Sequence, residues 1–250
     1  MPGLLISFDG IDSSGKETQA RLLMHKVQTA GHNVGFFQTP DYNSASGIKL
    51  KRLFQGQDGS WDSLAWQEKM QLIAANRAEH KAEVIGLLQQ GGVVIYDRYV
   101  PSSIAHMTAD ALIAAAPDSD RASIREQVED HEYRQNQMPH EDLFIFLDLS
   151  PAQAAALLQV RKTQLDEPDE TTDKIDLQSR IYQEYQFLAR EFPHRCIKIN
   201  CVANNRLLDI QTISDNVWQL ITQRFPQLTN PQEAPWLIGT INITLSYLVC

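Results

Sequence analysis

The chain has 250 residues, 43% apolar and 21% charged, with a formal net charge of -9. That length supports one substantial core, so a single α/β unit with room for a small appendage is expected. The negative mean field repels polyanions and argues against a nucleic-acid or anionic-membrane binder, while a local basic pocket for a phosphorylated small molecule stays compatible with it.

In chain order, the first element is the apolar run Leu4–Phe8, read as a strand. No charged leader precedes it, so no signal peptide is expected and the cytoplasm is the expected compartment. A small-residue turn leads into a helix over Thr18–Ala30 that stops at Gly31. A second strand, Val34–Phe37, precedes a long helical pattern over Leu64–Gln90, closed by Gly91 and Gly92. Strands follow at Val93–Tyr96, Leu143–Leu149 and Cys196–Ile199. Between the last two, Ser150 and Pro151 open a helix over Pro151–Val160, an N-cap followed by proline in the first turn. The polar, acidic stretch TQLDEPDETTDK, residues 163–174, reads as a mobile loop before a helix at 175–191.

The strand runs are short and mostly unbroken, as in a parallel sheet covered on both faces, and strand alternates with helix. The expected fold is therefore α/β: a doubly wound parallel sheet of about five strands with helices on both faces. After Asn230 the chain carries little charge, and from Thr240 to Leu248 it alternates polar with apolar residues, which fits an extra strand better than a membrane span. Cys196, Cys201 and Cys250 form no CxxC pair, so neither a disulfide framework nor a zinc site is indicated.

Gly10, Gly15 and Lys16 have the spacing GxxxxGK directly after a strand and before a helix. That context points backbone N–H groups into one concavity at a helix N-terminus, with a lysine for the β and γ phosphates, so residues 10–18 read as a phosphate-binding loop. Tyr96-Asp97-Arg98-Tyr99 ends the strand Val93–Tyr96. In an open parallel sheet the ligand crevice lies beyond the carboxyl ends of the strands, so Asp97 and Arg98 should face the loop. An aspartate there suits Mg²⁺, and the guanidinium suits phosphate oxygens; a structural Asp-Arg pair at a strand end is the competing reading.

Four ordered segments resemble the thymidylate kinases: SFDGIDSSGKETQ, VVIYDRYVPSSIAH, MPHEDLFIFLDLSPAQA and IDLQSRIYQEYQFLAREFP. The resemblance implies a P-loop NTPase-type fold over 1–224 with a short lid at about 161–174, and leaves 225–250 as an extension of unknown role. It implies transfer of a phosphoryl group from ATP–Mg²⁺ to dTMP, giving dTDP and ADP, and a homodimer. The ATP-binding residues are then Gly10, Ile11, Asp12, Ser13, Ser14, Gly15, Lys16, Glu17 and Thr18. Lys16, Asp97, Arg98 and Arg161 would be catalytic, with Asp97 organising Mg²⁺ and Arg98 bridging the two nucleotides' phosphates. Asp12 would approach the deoxyribose hydroxyl, Arg77 would bond the pyrimidine, Ile73, Ser103 and His106 would face base and sugar, and Tyr185 would flank the nucleoside.

The chain departs from the family pattern at several positions. Glu17 stands where a hydroxyl is usual; as a hard oxygen donor it is expected to join Asp97 as a magnesium ligand. Ile73 stands where phenylalanine is usual, and His106 where tyrosine or phenylalanine is, which thins the aromatic wall around the base. Arg161 takes the place of the usual extra basic group, with Lys162, Lys174 and Arg180 as weaker candidates. Near Pro40 no phosphate-binding arginine is evident, leaving Lys49, Lys51 and Arg52. Two other readings stay open: a kinase for another nucleoside monophosphate or a nucleoside, and a catalytically weak nucleotide-binding protein whose tail docks a partner.

Overall fold

A computed structural model describes residues 3–114, 120–162 and 175–229, with the side chains of 158–162 outside the description. The lid loop at 163–174, the side chains of Arg161 and Lys162, Lys174, and the tail from 230 therefore lie outside the described residues.

Five strands, β1 (Leu4–Asp9), β2 (Val34–Gln38), β3 (Val93–Asp97), β4 (Leu143–Asp148) and β5 (Cys196–Asn200), form one parallel sheet in the order β2-β3-β1-β4-β5. The middle strands β1, β3 and β4 are buried along nearly their whole length, which is why their sequences are apolar at consecutive positions. The edge strands β2 and β5 are only partly buried and admit Gln38 and Lys198. Between β2 and β3 the chain returns toward β1, then crosses over it to β4. The reversal of strand order falls at β1, so its carboxyl end opens into a crevice flanked by β3 and β4.

Helices cover the sheet. Helix α1 (Lys16–Thr29) buries Ala20, Leu23 and Val27, one stripe at helical spacing. Helix α2 (Ala45–Phe54) is capped by Ser44, whose hydroxyl accepts from the Gly47 N–H. The single helix expected over Leu64–Gln90 is two, α3 (Trp66–Ala78) and α4 (Lys81–Gln89). At the break, the Glu79 carboxylate accepts from the Ser46 N–H at 3.1 Å and the His80 ring packs on Phe37, with centroids 5.4 Å apart. Contacts to the segment after β2 turn the chain there, and periodicity along 64–90 carries no sign of them.

Helix α5 (Val100–Ile113) is buried on almost every side and so has no amphipathic stripe to announce it. It packs against α3, α6 (Arg121–Glu129) and, after helix α7 (Pro151–Lys162), against α8 (Ile175–Glu191). A π-helical turn, Asp130–Gln135, follows α6. Beyond the sheet, a small hairpin of β6 (Val202–Ala203) and β7 (Arg206–Leu207) leads to α9 (Ile210–Arg224), which lies against α1. The packed body continues past residue 224: Leu228, in the turn Pro226–Thr229, is buried, and its carbonyl lies 3.2 Å from His32 Nε2.

Candidate functional site

The loop between β1 and α1 is held by backbone geometry. Gly10 has φ 147°, and a Cβ there would meet Ser14 Oγ at 3.0 Å and the Leu147 carbonyl at 3.1 Å. Gly15 has φ 87° with open space around it, so glycine is needed for the left-handed backbone alone, just before the first turn of α1. Ser13 also adopts a left-handed conformation. The Lys16 side chain folds back into the loop, donating to the Ile11 carbonyl at 2.6 Å, with Ser14 Oγ at 3.5 Å. Burial and then Arg98 pull its ammonium down to about 8, against the opposing pull of Asp97, Asp12 and Asp9.

Arg98 follows β3 with φ 65°, its N–H bonded to the Phe8 carbonyl at 3.0 Å. Its side chain crosses to the loop. Nη1 donates to the Gly10 carbonyl at 3.2 Å and to Ser102 Oγ at 3.4 Å, and Nη2 pairs with the Asp12 carboxylate. Nη1 also lies 3.1 Å from His106 Nε2, so that nitrogen is an acceptor and the imidazole is neutral with its proton on Nδ1. Burial, then the Arg98 charge, pull His106 down to about 3. Burial pushes the Asp12 carboxyl up, but Arg98, Lys16 and a hydrogen bond from Gln178 outweigh it and hold it below the usual range.

Asp97 closes β3 with Oδ1 buried and without a hydrogen-bond partner. Burial pushes its carboxyl up, against the opposing pull of Lys16 and Arg98, with smaller upward pushes from the negative charges of Glu17 and Asp9. A buried carboxyl with an oxygen left without a hydrogen-bond partner is a hard donor of the kind a divalent cation takes, so the donor chemistry fits Mg²⁺. Glu17 is exposed on the first turn of α1 and paired with Arg21 at 2.9 Å. Its charge reaches Asp97, while its own oxygen is engaged on the helix surface. Thr18 is exposed on the same turn.

Tyr185 is buried, stacked on Phe146 with centroids 5.3 Å apart, and its hydroxyl lies 2.6 Å from Ser102 Oγ. Ile73 is half-buried on α3, one turn before Arg77. Arg77 is 0% exposed. Its Nη1 pairs with Glu132, and its Nη2 donates to the Tyr99 carbonyl and to Ser103 Oγ, both at 3.1 Å. Ser103 is thereby fixed by Arg77 and is itself 3% exposed. The structure thus gathers Gly10 to Lys16, Asp97, Arg98 and His106, and holds Arg77 and Ser103 buried in contact with each other, with Arg77 paired to Glu132.

Three polar residues of this region escaped the sequence reading. Asp9 is buried at the end of β1 and accepts from Ser7 Oγ at 2.5 Å; Glu132 pairs with Arg77; Gln178, on α8, bonds Asp12. Asp9 and Gln178 each lie inside a segment that resembles the family, as polar residues with no mark of their own, whereas Glu132 lies outside those segments. Among the described residues there is no cluster of three or more His, Cys, Asp or Glu side chains placed to hold a metal ion, and no helix long and apolar enough to cross a membrane.

Comparison with known proteins agrees with this geometry. A family model described as thymidylate kinase matches residues 8–211. A probable thymidylate kinase of Pyrococcus horikoshii is 31% identical over 225 residues, covering 88% of this chain and 97% of that one. The thymidylate kinase of Bifidobacterium longum is 28% identical over 229 residues, covering 91% and 100%. Among solved structures, the thymidylate kinase of Ehrlichia chaffeensis superposes with a TM-score of 0.63 at 22% identity, covering 89% of this chain and all of that one. That of Candida albicans does so with a TM-score of 0.65 at 22% identity, covering 90% and 93%.

Proposed function

The chain belongs to the thymidylate kinase family, and we propose that the crevice at the carboxyl end of β1 is where it passes a phosphoryl group from ATP to dTMP, giving dTDP and ADP. The observation that carries this reading is the Arg98 bridge: a guanidinium from the end of β3 bonded to both Gly10 and Asp12 of the phosphate loop. Donor and acceptor phosphates meet where such a side chain joins the two halves of the site.

Phosphoryl transfer asks little covalent chemistry of the protein, which aligns two anions and neutralises the charge that develops between them. Gly10 to Gly15 would offer backbone N–H groups to the donor phosphates. Lys16 would leave the Ile11 carbonyl for phosphate oxygens, and their charge favours its protonated form. Arg98 would span donor and acceptor. No general base is needed, because the attacking oxygen of dTMP is already anionic. Asp97, with Glu17 after release from Arg21, would hold Mg²⁺, which when bound neutralises phosphate charge and orients the donor. Arg161 is retained as the lid's contribution to the transferring group. The homodimer and the cytoplasmic location belong to this reading through family membership.

An ADP-release assay over a panel of nucleoside monophosphates and nucleosides tests the function. Turnover confined to dTMP is expected. Turnover with a different acceptor, or ATP binding without turnover, overturns it.

A further inference from the structure

Gln178 lies on α8, directly after the lid, and is 7% exposed. Its amide meets the phosphate loop twice. Nε2 donates to Asp12 Oδ2 at 2.6 Å, and Oε1 accepts from the Asp12 backbone N–H at 3.1 Å. The other carboxylate oxygen of Asp12 pairs with Arg98. Asp12 is thus a hub: α8 holds one oxygen and the backbone amide, and Arg98 holds the other oxygen.

We propose that Gln178 is a positioning residue that latches α8 onto the phosphate loop and, through Asp12, sets the Arg98 guanidinium for phosphoryl transfer. This rests on the kinase reading above. Only a side chain with a donor and an acceptor on one planar group makes both bonds. A carboxylate lacks the donor, and an aliphatic chain of similar size lacks both. The space beside Gln178 is lined by Ile11, Pro151, Ala154, Ala155 and Ile175 together with Asp12 and Ser13 of the loop, and the bonds its amide makes both go to Asp12. Because Asp12 is ionised, the bond from Nε2 is charge-assisted and stronger than a neutral one. Without Gln178, Asp12 loses the partner of its Oδ2 and of its backbone N–H, and only Arg98 holds its side chain in place.

The test uses the full chain and the variants Gln178→Leu and Gln178→Glu. In Gln178→Leu, exchange of the Asp12 amide should accelerate at least about tenfold, since its only acceptor among the described residues is gone. With dTMP and ATP saturating, kcat should fall about 10- to 100-fold while KM for ATP moves little, the signature of an interaction that matters in the transition state.

Gln178→Glu gives a readout that simple packing would not move. The new carboxyl faces the Asp12 carboxylate with Arg98, Lys16 and the neutral His106 ring nearby, and it can donate to Asp12 only when it carries a proton. Its kcat should therefore recover relative to the native chain as pH falls from about 8 to about 6, as expected when two carboxyls share a site. Native kcat in Gln178→Leu, or no relative recovery of Gln178→Glu at lower pH, overturns the latch. Loss of Asp12 amide protection is read without substrate, so the loop contact is checked even where the native chain fails to turn over dTMP, a result that would instead overturn the kinase reading.

Discussion

At the scale of single residues, the site is built from ionisable groups whose neighbours settle their charge. His106 accepts from Arg98 and is held neutral, down to about 3 from its ordinary 6.5. A histidine whose folded value lies below its unfolded value binds fewer protons when folded, so it costs stability as pH falls through the unfolded value toward the folded one. Between pH about 6.5 and about 4 the native chain should therefore lose stability more steeply than His106→Asn, by up to about 1.4 kcal/mol per pH unit. Urea unfolding at pH 7, 6 and 5 measures the difference, and parallel slopes refute it.

Glu17 poses a related question one turn into α1. It is paired with Arg21 on the surface, yet its charge is felt by the buried Asp97 carboxyl. If the side chain swings to the ion when nucleotide binds, Glu17→Thr should need about 10- to 100-fold more magnesium for half-maximal rate, the size typical of losing a group that supports a metal site. An unchanged magnesium dependence removes Glu17 from the ion's surroundings. Asp97→Asn should lose far more, because it takes away the buried charge next to the loop.

At the scale of elements, the contact between α3 and the π-helical turn is the informative one. Arg77 and Glu132 are both 0% exposed and neutralise each other. Burial opposes the Arg77 charge, but Glu132 prevails and raises its affinity for the proton. Removing one partner strands the other: Glu132→Ala should destabilise the fold by about 3–5 kcal/mol, read as a lowered urea midpoint. If base recognition runs through Ser103, whose oxygen Arg77 occupies, KM for dTMP should also rise in this variant at temperatures where it stays folded. Elsewhere among the elements, the break between α3 and α4 follows the same logic. Glu79 is drawn to Ser46, after β2, and His80 to Phe37, within it, overriding a helical pattern that runs through them.

At the scale of the whole molecule, the proposed function puts donor and acceptor side by side at the carboxyl ends of β1 and β3, next to each other in the strand order. A dinucleotide joining adenosine to thymidine through a phosphate chain should fill both halves. At about 100 times its Kd it should stabilise the fold by about 2.7 kcal/mol, more than ATP or dTMP alone at matched concentration. A thermal shift no larger than that of ATP would show that the two halves are not one site.

The five strands, the GxxxxGK loop and the Asp97-Arg98 pair at the carboxyl end of β3 are legible from the order of amino acids alone. Each of these is written in contiguous residues: uninterrupted apolar runs for strands buried on both faces, glycines where the backbone must be left-handed, a lysine where the next helix begins. Only the tertiary structure decided which side chains face one another. Arg98 meets Asp12 across 86 positions, Arg77 meets Glu132 across 55, and Gln178 meets Asp12 across 166. Local periodicity carries no trace of such pairs, because their partners are chosen by how helices pack against the sheet and by the cost of leaving a buried charge unpaired.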